Sequence, residues 1–178
     1  MAMLIVTVFF ISAVILMKIV REKDLAALYK SEANALLTVQ RAATAYAAAN
    51  KSNFQSGQTV MNVSNQYAPT VNELNNLGFL TNTGTNITSP FGSTWRITLT
   101  LLPSGAITGL VYLNGNIRHP ITGAADQPHA CGIAVALGDI GLCTPPNNSA
   151  LLGNGSTTPI ANPSGQPATV AASIFVPA

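Results

Sequence analysis

Residues Met1 to Met17 read MAMLIVTVFFISAVILM, seventeen positions without a charge. Ile19 and Val20 carry the apolar run past Lys18. As a helix, the uncharged run spans ~25 Å, the short end of what crosses a bilayer. Lys18 then snorkels to the interface. From residue 21 to 50 the pattern changes. Leu25, Leu28, Tyr29, Leu36, Val39, Ala43 and Tyr46 recur at spacings of about three and four, an amphipathic stripe. This stretch holds no Pro or Gly and is rich in Ala, Leu, Glu, Lys and Arg. No breaker separates the two patterns, so the sequence predicts one helix of about 50 residues, ~75 Å long.

Beyond the helix the periodicity shortens. The polar cluster from Lys51 to Asn65, with Gly57, reads as a loop. Thr70-Val-Asn-Glu73 is a capping box ahead of a short helix that Gly78 stops, with Phe79 and Leu80 as its anchors to the core. Ser89-Pro-Phe-Gly-Ser93 is a turn. Trp95 to Leu102 alternates apolar and polar residues, as a half-buried strand does. Pro103-Ser-Gly105 turns the chain into a second strand, Ala106 to Leu113, and the two make a hairpin. Asn114-Gly115 is the next turn. From Asn116 onward, Gly, Pro and Asn dominate, which reads as loops with short strands, Val170 to Val176 being the best late strand. The expected organisation is an anchoring helix and stalk over residues 1–50 and an α+β head over 51–178.

Composition sharpens the division. The chain of 178 residues is 48% hydrophobic and 8% charged, with net charge +2 and mean hydropathy +0.35. A soluble domain carries about 25% charged residues. Six of the eight basic residues precede position 52, and the remainder holds five charges: Glu73, Arg96, Arg118, Asp126 and Asp139. That remainder is polar through 14 Asn and 15 Thr instead. A nucleic-acid binder needs a dense basic patch, and none is present. A coat of amides and hydroxyls has little charge repulsion and can sit against copies of itself.

The N-terminal run lacks the basic leader and small-residue cleavage site of a secretory signal. As a plain anchor, its basic cluster on the C-terminal side would hold the head in the cytoplasm. A short basic leader ahead of Met1, removed in the mature chain, resolves that conflict. Cys131 and Cys143 flank eleven residues. In an exported protein a disulfide is their natural reading. A metal site or a reactive thiol is the alternative, although only His129 sits near Cys131 and there is no CxxC. Hydrolase, phosphate-loop, zinc-protease and dinucleotide motifs are absent. His119, His129, Asp126 and Asp139 are the late candidates for acid–base or metal chemistry, each more simply a hydrogen-bonding surface residue. Asn-x-Ser/Thr occurs at Asn50, Asn62, Asn86, Asn147 and Asn154, as chance allows in so Asn- and Thr-rich a chain.

An apolar terminus running into an amphipathic helix, then a hairpin-based head and a late cysteine pair, resembles the type IV pilin superfamily. The pseudopilins of type II secretion belong to it. Leu36-Leu-Thr-Val-Gln-Arg-Ala-Ala-Thr-Ala-Tyr46, Val71-Asn-Glu-Leu-Asn-Asn-Leu-Gly-Phe-Leu80 and Ser89-Pro-Phe-Gly-Ser-Thr-Trp95 are similar to segments of its type IVb branch, the shufflon-type minor pilins of thin conjugative pili. The resemblance implies a fold with the long helix packed on a small antiparallel sheet and a C-terminal disulfide loop. It also implies a non-enzymatic filament subunit without cofactor. Such a chain rests in the inner membrane before assembly, is processed by a prepilin peptidase to a methylated Met1, and passes through pilus assembly machinery into an extracellular filament for adhesion, conjugation or motility. Main pilins carry glutamate at the fifth mature position, whereas this chain has Ile5, which suits a minor or tip subunit. Met1, Ile5, Phe9, Phe10, Leu16 and Leu25 are the expected interhelix contacts, and the Asn/Thr loops from Asn114 to Ser164 the expected outer surface. A pseudopilin, or a membrane-anchored binding module or adhesin working as a monomer, is the alternative.

Overall fold

A computed structural model of the chain describes residues 2–80, 93–119, 122–145, 150–153 and 156–178, with side chains described from residue 23 onward. The side chains of the apolar terminus, Met1 itself, most of the Ser89–Ser93 turn, and Asn86, Asn147 and Asn154 lie outside the described residues. Among the described residues, no helix is long and apolar enough to cross a membrane.

Helix α1 runs unbroken over Ala2–Ala49, as a stretch free of Pro and Gly should. Its stripe is buried from the middle onward. Glu32, Ala33, Leu36, Val39, Ala42, Ala43, Tyr46 and Ala47 are buried, whereas no position from Lys23 to Ser31 is. Leu25 is half-buried and Leu28 is 36% exposed, so the stripe outruns the part of α1 that the head covers.

The expected loop after α1 is partly helical. The Asn50 amide donates to the Tyr46 carbonyl, the chain turns, and α2 forms over Lys51–Ser56 before Gly57 ends it at φ 71°. The reason is Phe54. It is buried, and its ring meets Tyr46 edge-on at 6.2 Å and Tyr67 at 5.2 Å. Tyr46 also meets Phe79 at 5.7 Å. Burying an aromatic of this size stabilises by about 1.5–3 kcal/mol, enough to hold six polar-rich residues in a helix. Burial, then the nearby Glu73 carboxylate, pushes the Tyr46 hydroxyl up to about 12.

Helix α3, Val71–Asn76, starts at the expected capping box. The Thr70 hydroxyl accepts from the Glu73 amide, and the Glu73 carboxylate accepts from Thr70 N at 2.7 Å. The other Glu73 oxygen accepts from Ser64 N at 2.8 Å and Ser64 Oγ at 2.6 Å, which ties the preceding loop to the cap. Hydrogen bonds from Ser64 Oγ, then from the Thr70 and Ser64 amides, hold the carboxyl down at about 2, against an ordinary 4.5. A carboxyl depressed on folding contributes stability above its unfolded pKa, and the contribution disappears as pH falls toward the folded value. Denaturation midpoints measured from pH 7 to 2.5 should therefore fall below about pH 5. The Glu73→Gln chain should be less stable at pH 7 and should show a shallower fall. An unaltered slope in that variant would remove Glu73 from the explanation.

Strands β1, Trp95–Leu101, and β2, Ile107–Leu113, form the expected hairpin, Trp95 opposite Leu113 and Leu101 opposite Ile107. The turn closes with Leu102 N on the Ala106 carbonyl, and Gly105 takes φ 84°. A Cβ on Gly109 would lie 2.2 Å from the Thr98 carbonyl oxygen, so β2 approaches β1 here too closely for any side chain. Strand β5, Val170–Val176, is the expected late strand. It pairs antiparallel with β2 on one side and with β3, Gly141–Cys143, on the other. With β4, Leu152–Gly153, the sheet has the order β1-β2-β5-β3-β4. The last strand of the chain therefore lies in the middle of the sheet. The inner face, carrying Ile97, Leu99, Val111, Ala172 and Ile174, packs on the second half of α1 in one core. Gln40 Nε2 donates to the Ser173 carbonyl, pinning α1 to β5, and Lys51 Nζ of α2 donates to the Pro177 carbonyl just past β5. The fold is thus α+β, a long N-terminal helix against an antiparallel sheet.

The region from Asn116 onward departs from the expected loops. A ten-residue helix, α4, occupies Gln127–Ala136 and lies against α1. A 3-10 turn, Gly138–Ile140, leads from it into β3. Thus part of the expected outer surface, Asn114 to Ser164, is interior. The apolar run beginning at Ile133 belongs to α4, whose Ile133 and Ala134 are buried and whose Val135 is exposed.

Candidate functional site

The late chemistry-bearing residues converge where α4 meets α1. Asp126 caps α4. Its Oδ1 accepts from His129 N at 3.1 Å, and its Oδ2 lies 2.6 Å from His129 Nδ1. Pro128 in the first turn suits a helix start, where its missing N–H has no partner to lose. Asp126 was expected at the surface and is instead 7% exposed. A buried carboxylate needs partners, and His129 supplies two.

Gly132 lets the helices close. A Cβ there would lie 2.7 Å from the Tyr29 ring. The ring also meets His129 edge-on at 5.2 Å. Desolvation first, and the Asp126 charge second, raise the Tyr29 hydroxyl above its ordinary pKa. Glu32, one turn along α1, is fully buried.

Cys131 and Cys143 form a disulfide, with Cα atoms 5.1 Å apart, so α4 is tied covalently to β3. The two elements also pack closely: a Cβ on Gly141 would lie 2.0 Å from the Ala134 carbonyl oxygen. Thr144, just past the bridge, is buried, and its hydroxyl accepts from Thr169 N at 3.0 Å.

A second segment approaches the same place. Arg118 bridges to Ala125, and the His119 backbone bonds Ala124 and Gly123. This narrow loop brings Arg118 and His119 beside His129. With Leu25 and Leu28 of α1 and Ser93 they line a cleft of about 570 Å³. Both histidines of the chain are therefore at one cleft. Asp139, on the 3-10 turn, does not line it. The second cleft, about 560 Å³ near Val60 and Met61, has no charged residue in its lining.

Of the residues expected to make interhelix contacts, Leu25 lies on the cleft wall. Ile5, Phe9, Phe10 and Leu16 lie on α1, but their side chains, and Met1 altogether, are outside the described residues. The cleft is not visible in the sequence because its walls come from residues far apart in the chain, Leu25 and Leu28, Ser93, Gly115 to His119, and His129. One signal was present in Asp126-Gln-Pro128, a cap followed by a first-turn proline, which marks the start of α4. Among the described residues, no group of three or more His, Cys, Asp or Glu is placed to hold a metal ion. No protein-family model matches the chain, and no curated protein or solved structure matches it.

Proposed function

We propose that the chain is a structural subunit of a type IV pilin-like surface filament, polymerising through its N-terminal helix. The supporting observation is the imbalance along α1. The helix is continuous over Ala2–Ala49, and none of its residues from Lys23 to Ser31 is buried although Leu25, Leu28 and Tyr29 belong to its apolar stripe. A helix of that kind gains most of its stability from packing of its apolar face rather than from propensity. Lipid first, and the same helix of neighbouring subunits later, would supply that packing. The subunit would thus sit in the inner membrane before assembly and at the cell surface afterwards. It would be handled on the way by a prepilin peptidase and assembly machinery. The α+β head, nearly free of charge, would form the outside of the polymer. Its exposed side includes Phe175, 64% exposed on the central strand, which suits contact between heads.

Shearing of intact cells tests this reading. The protein should appear in the sheared, sedimentable fibrous fraction and label along or at the end of filaments under immuno-electron microscopy. Recovery only from detergent-extracted membrane would overturn it and favour the anchored monomeric binding module, for which the cleft beside α1 is the supporting feature.

A further inference from the structure

We propose that the cleft between α1 and α4 binds a phosphate-headed amphiphile, its anionic head against Arg118, His119 and His129 and its hydrocarbon against Leu25 and Leu28. The inference stands on the cleft alone and does not require assembly. Charge is scarce in this chain: beyond position 51 only two residues are formally basic, Arg96 and Arg118. One of these lines the cleft together with both histidines, and among the described residues no acid does. Asp126, which caps α4 beside His129, has both oxygens engaged by that histidine.

The donors are of the kind a phosphate recruits. Arg118 spends one N–H on the Gly123 carbonyl at 3.4 Å, and a guanidinium carries five. His119 Nδ1 accepts from Thr122 N at 3.3 Å, so the ring is oriented by its own loop. His129 donates its Nδ1–H to Asp126 and meets Tyr29 edge-on, so its ring is positioned before any ligand arrives, with Nε2 of the neutral ring as an acceptor for a headgroup hydroxyl. Ser93 adds a hydroxyl. A tetrahedral anion with several acceptor oxygens satisfies donors arriving from different elements. Leu25 and Leu28 make the α1 wall apolar, and a cleft of about 570 Å³ is within the range of small-molecule sites. An inorganic anion would leave that wall unfilled, which is why the ligand is an amphiphile.

The test uses the full chain in neutral detergent, with NMR of the histidine rings and leucine methyls. Dihexanoyl phosphatidylglycerol, inorganic phosphate and octyl glucoside are titrated separately. The short-chain lipid should shift His119, His129 and Leu28 saturably, at a midpoint at least tenfold below that of inorganic phosphate. Phosphate should move the histidines alone. Arg118→Gln should weaken lipid binding at least tenfold. Leu28→Gln, on an exposed helix face, should weaken the lipid and leave phosphate binding unchanged. Equal or tighter binding of inorganic phosphate would make the free anion the ligand and overturn the proposal. So would the same shifts with octyl glucoside, or undiminished lipid binding in both variants.

Discussion

Phe10→Asp should abolish filaments while leaving the head folded. Position 10 lies well inside the uncharged run of residues 1–17 and within α1. On insertion scales an Asp near the centre of a membrane helix costs about 3 kcal/mol. In a filament core the same carboxylate would be buried without a partner in every subunit, and that cost would recur at every copy. Assembly therefore suffers far more than the fold of one chain. The head packs on α1 from Tyr29 onward, well beyond position 10. The readout is paired: filament yield after shearing, and denaturant unfolding of the detergent-solubilised chain followed through Trp95, buried in the core. Filaments at the normal yield would sink the polymerisation reading. Loss of filaments together with loss of the Trp95 transition would show instead that the change acts on the fold, and a Phe10→Leu chain, apolar and of similar bulk, should then restore both.

Removing the disulfide should cost the chain about 3 kcal/mol, the chain-entropy value for closing so short a loop. The bridge joins α4 to β3 with a sequence separation of 12. Its expected contribution lies mainly in the unfolded chain, which it deprives of conformations. Cys131→Ser with Cys143→Ser should lower the melting temperature by about 6–12 °C, at the rate expected for a domain of this size. The same loss should follow reduction of the wild-type chain and should be absent on reducing the double variant. A melting temperature unchanged by both treatments would show that α4 and β3 hold together through packing alone, as where Ala134 meets Gly141.

Elements governed by neighbours in sequence were legible in the chain. The absence of Pro and Gly from 21 to 50 announces an unbroken helix, and α1 runs to Ala49. Thr70 and Glu73 stand at capping-box spacing and make both bonds. The hairpin around Pro103–Gly105 and the strand from Val170 follow from alternation and turn residues. The cysteine pair forms its bridge. Helix α4 was obscured because Gly132 and a cysteine fall in the middle of a segment of only ten residues. What stabilises it is distant in sequence: the Tyr29 ring that needs Gly132 bare, and the tie to β3. Helix α2 was hidden for a similar reason, since only the burial of Phe54 against Tyr46 and Tyr67 favours it.

The sequence by itself determined the local pieces and the contrast between a charge-poor apolar terminus and an amide-coated remainder, because periodicity, capping and charge are properties of adjacent residues. Only the tertiary structure decided that β5 enters the middle of the sheet, that α4 lies on α1, and that Leu25, Leu28, Arg118, His119 and His129 meet at one cleft. Those outcomes depend on contacts across up to about a hundred residues of chain. Their free energy comes from burying faces that no short window of sequence contains.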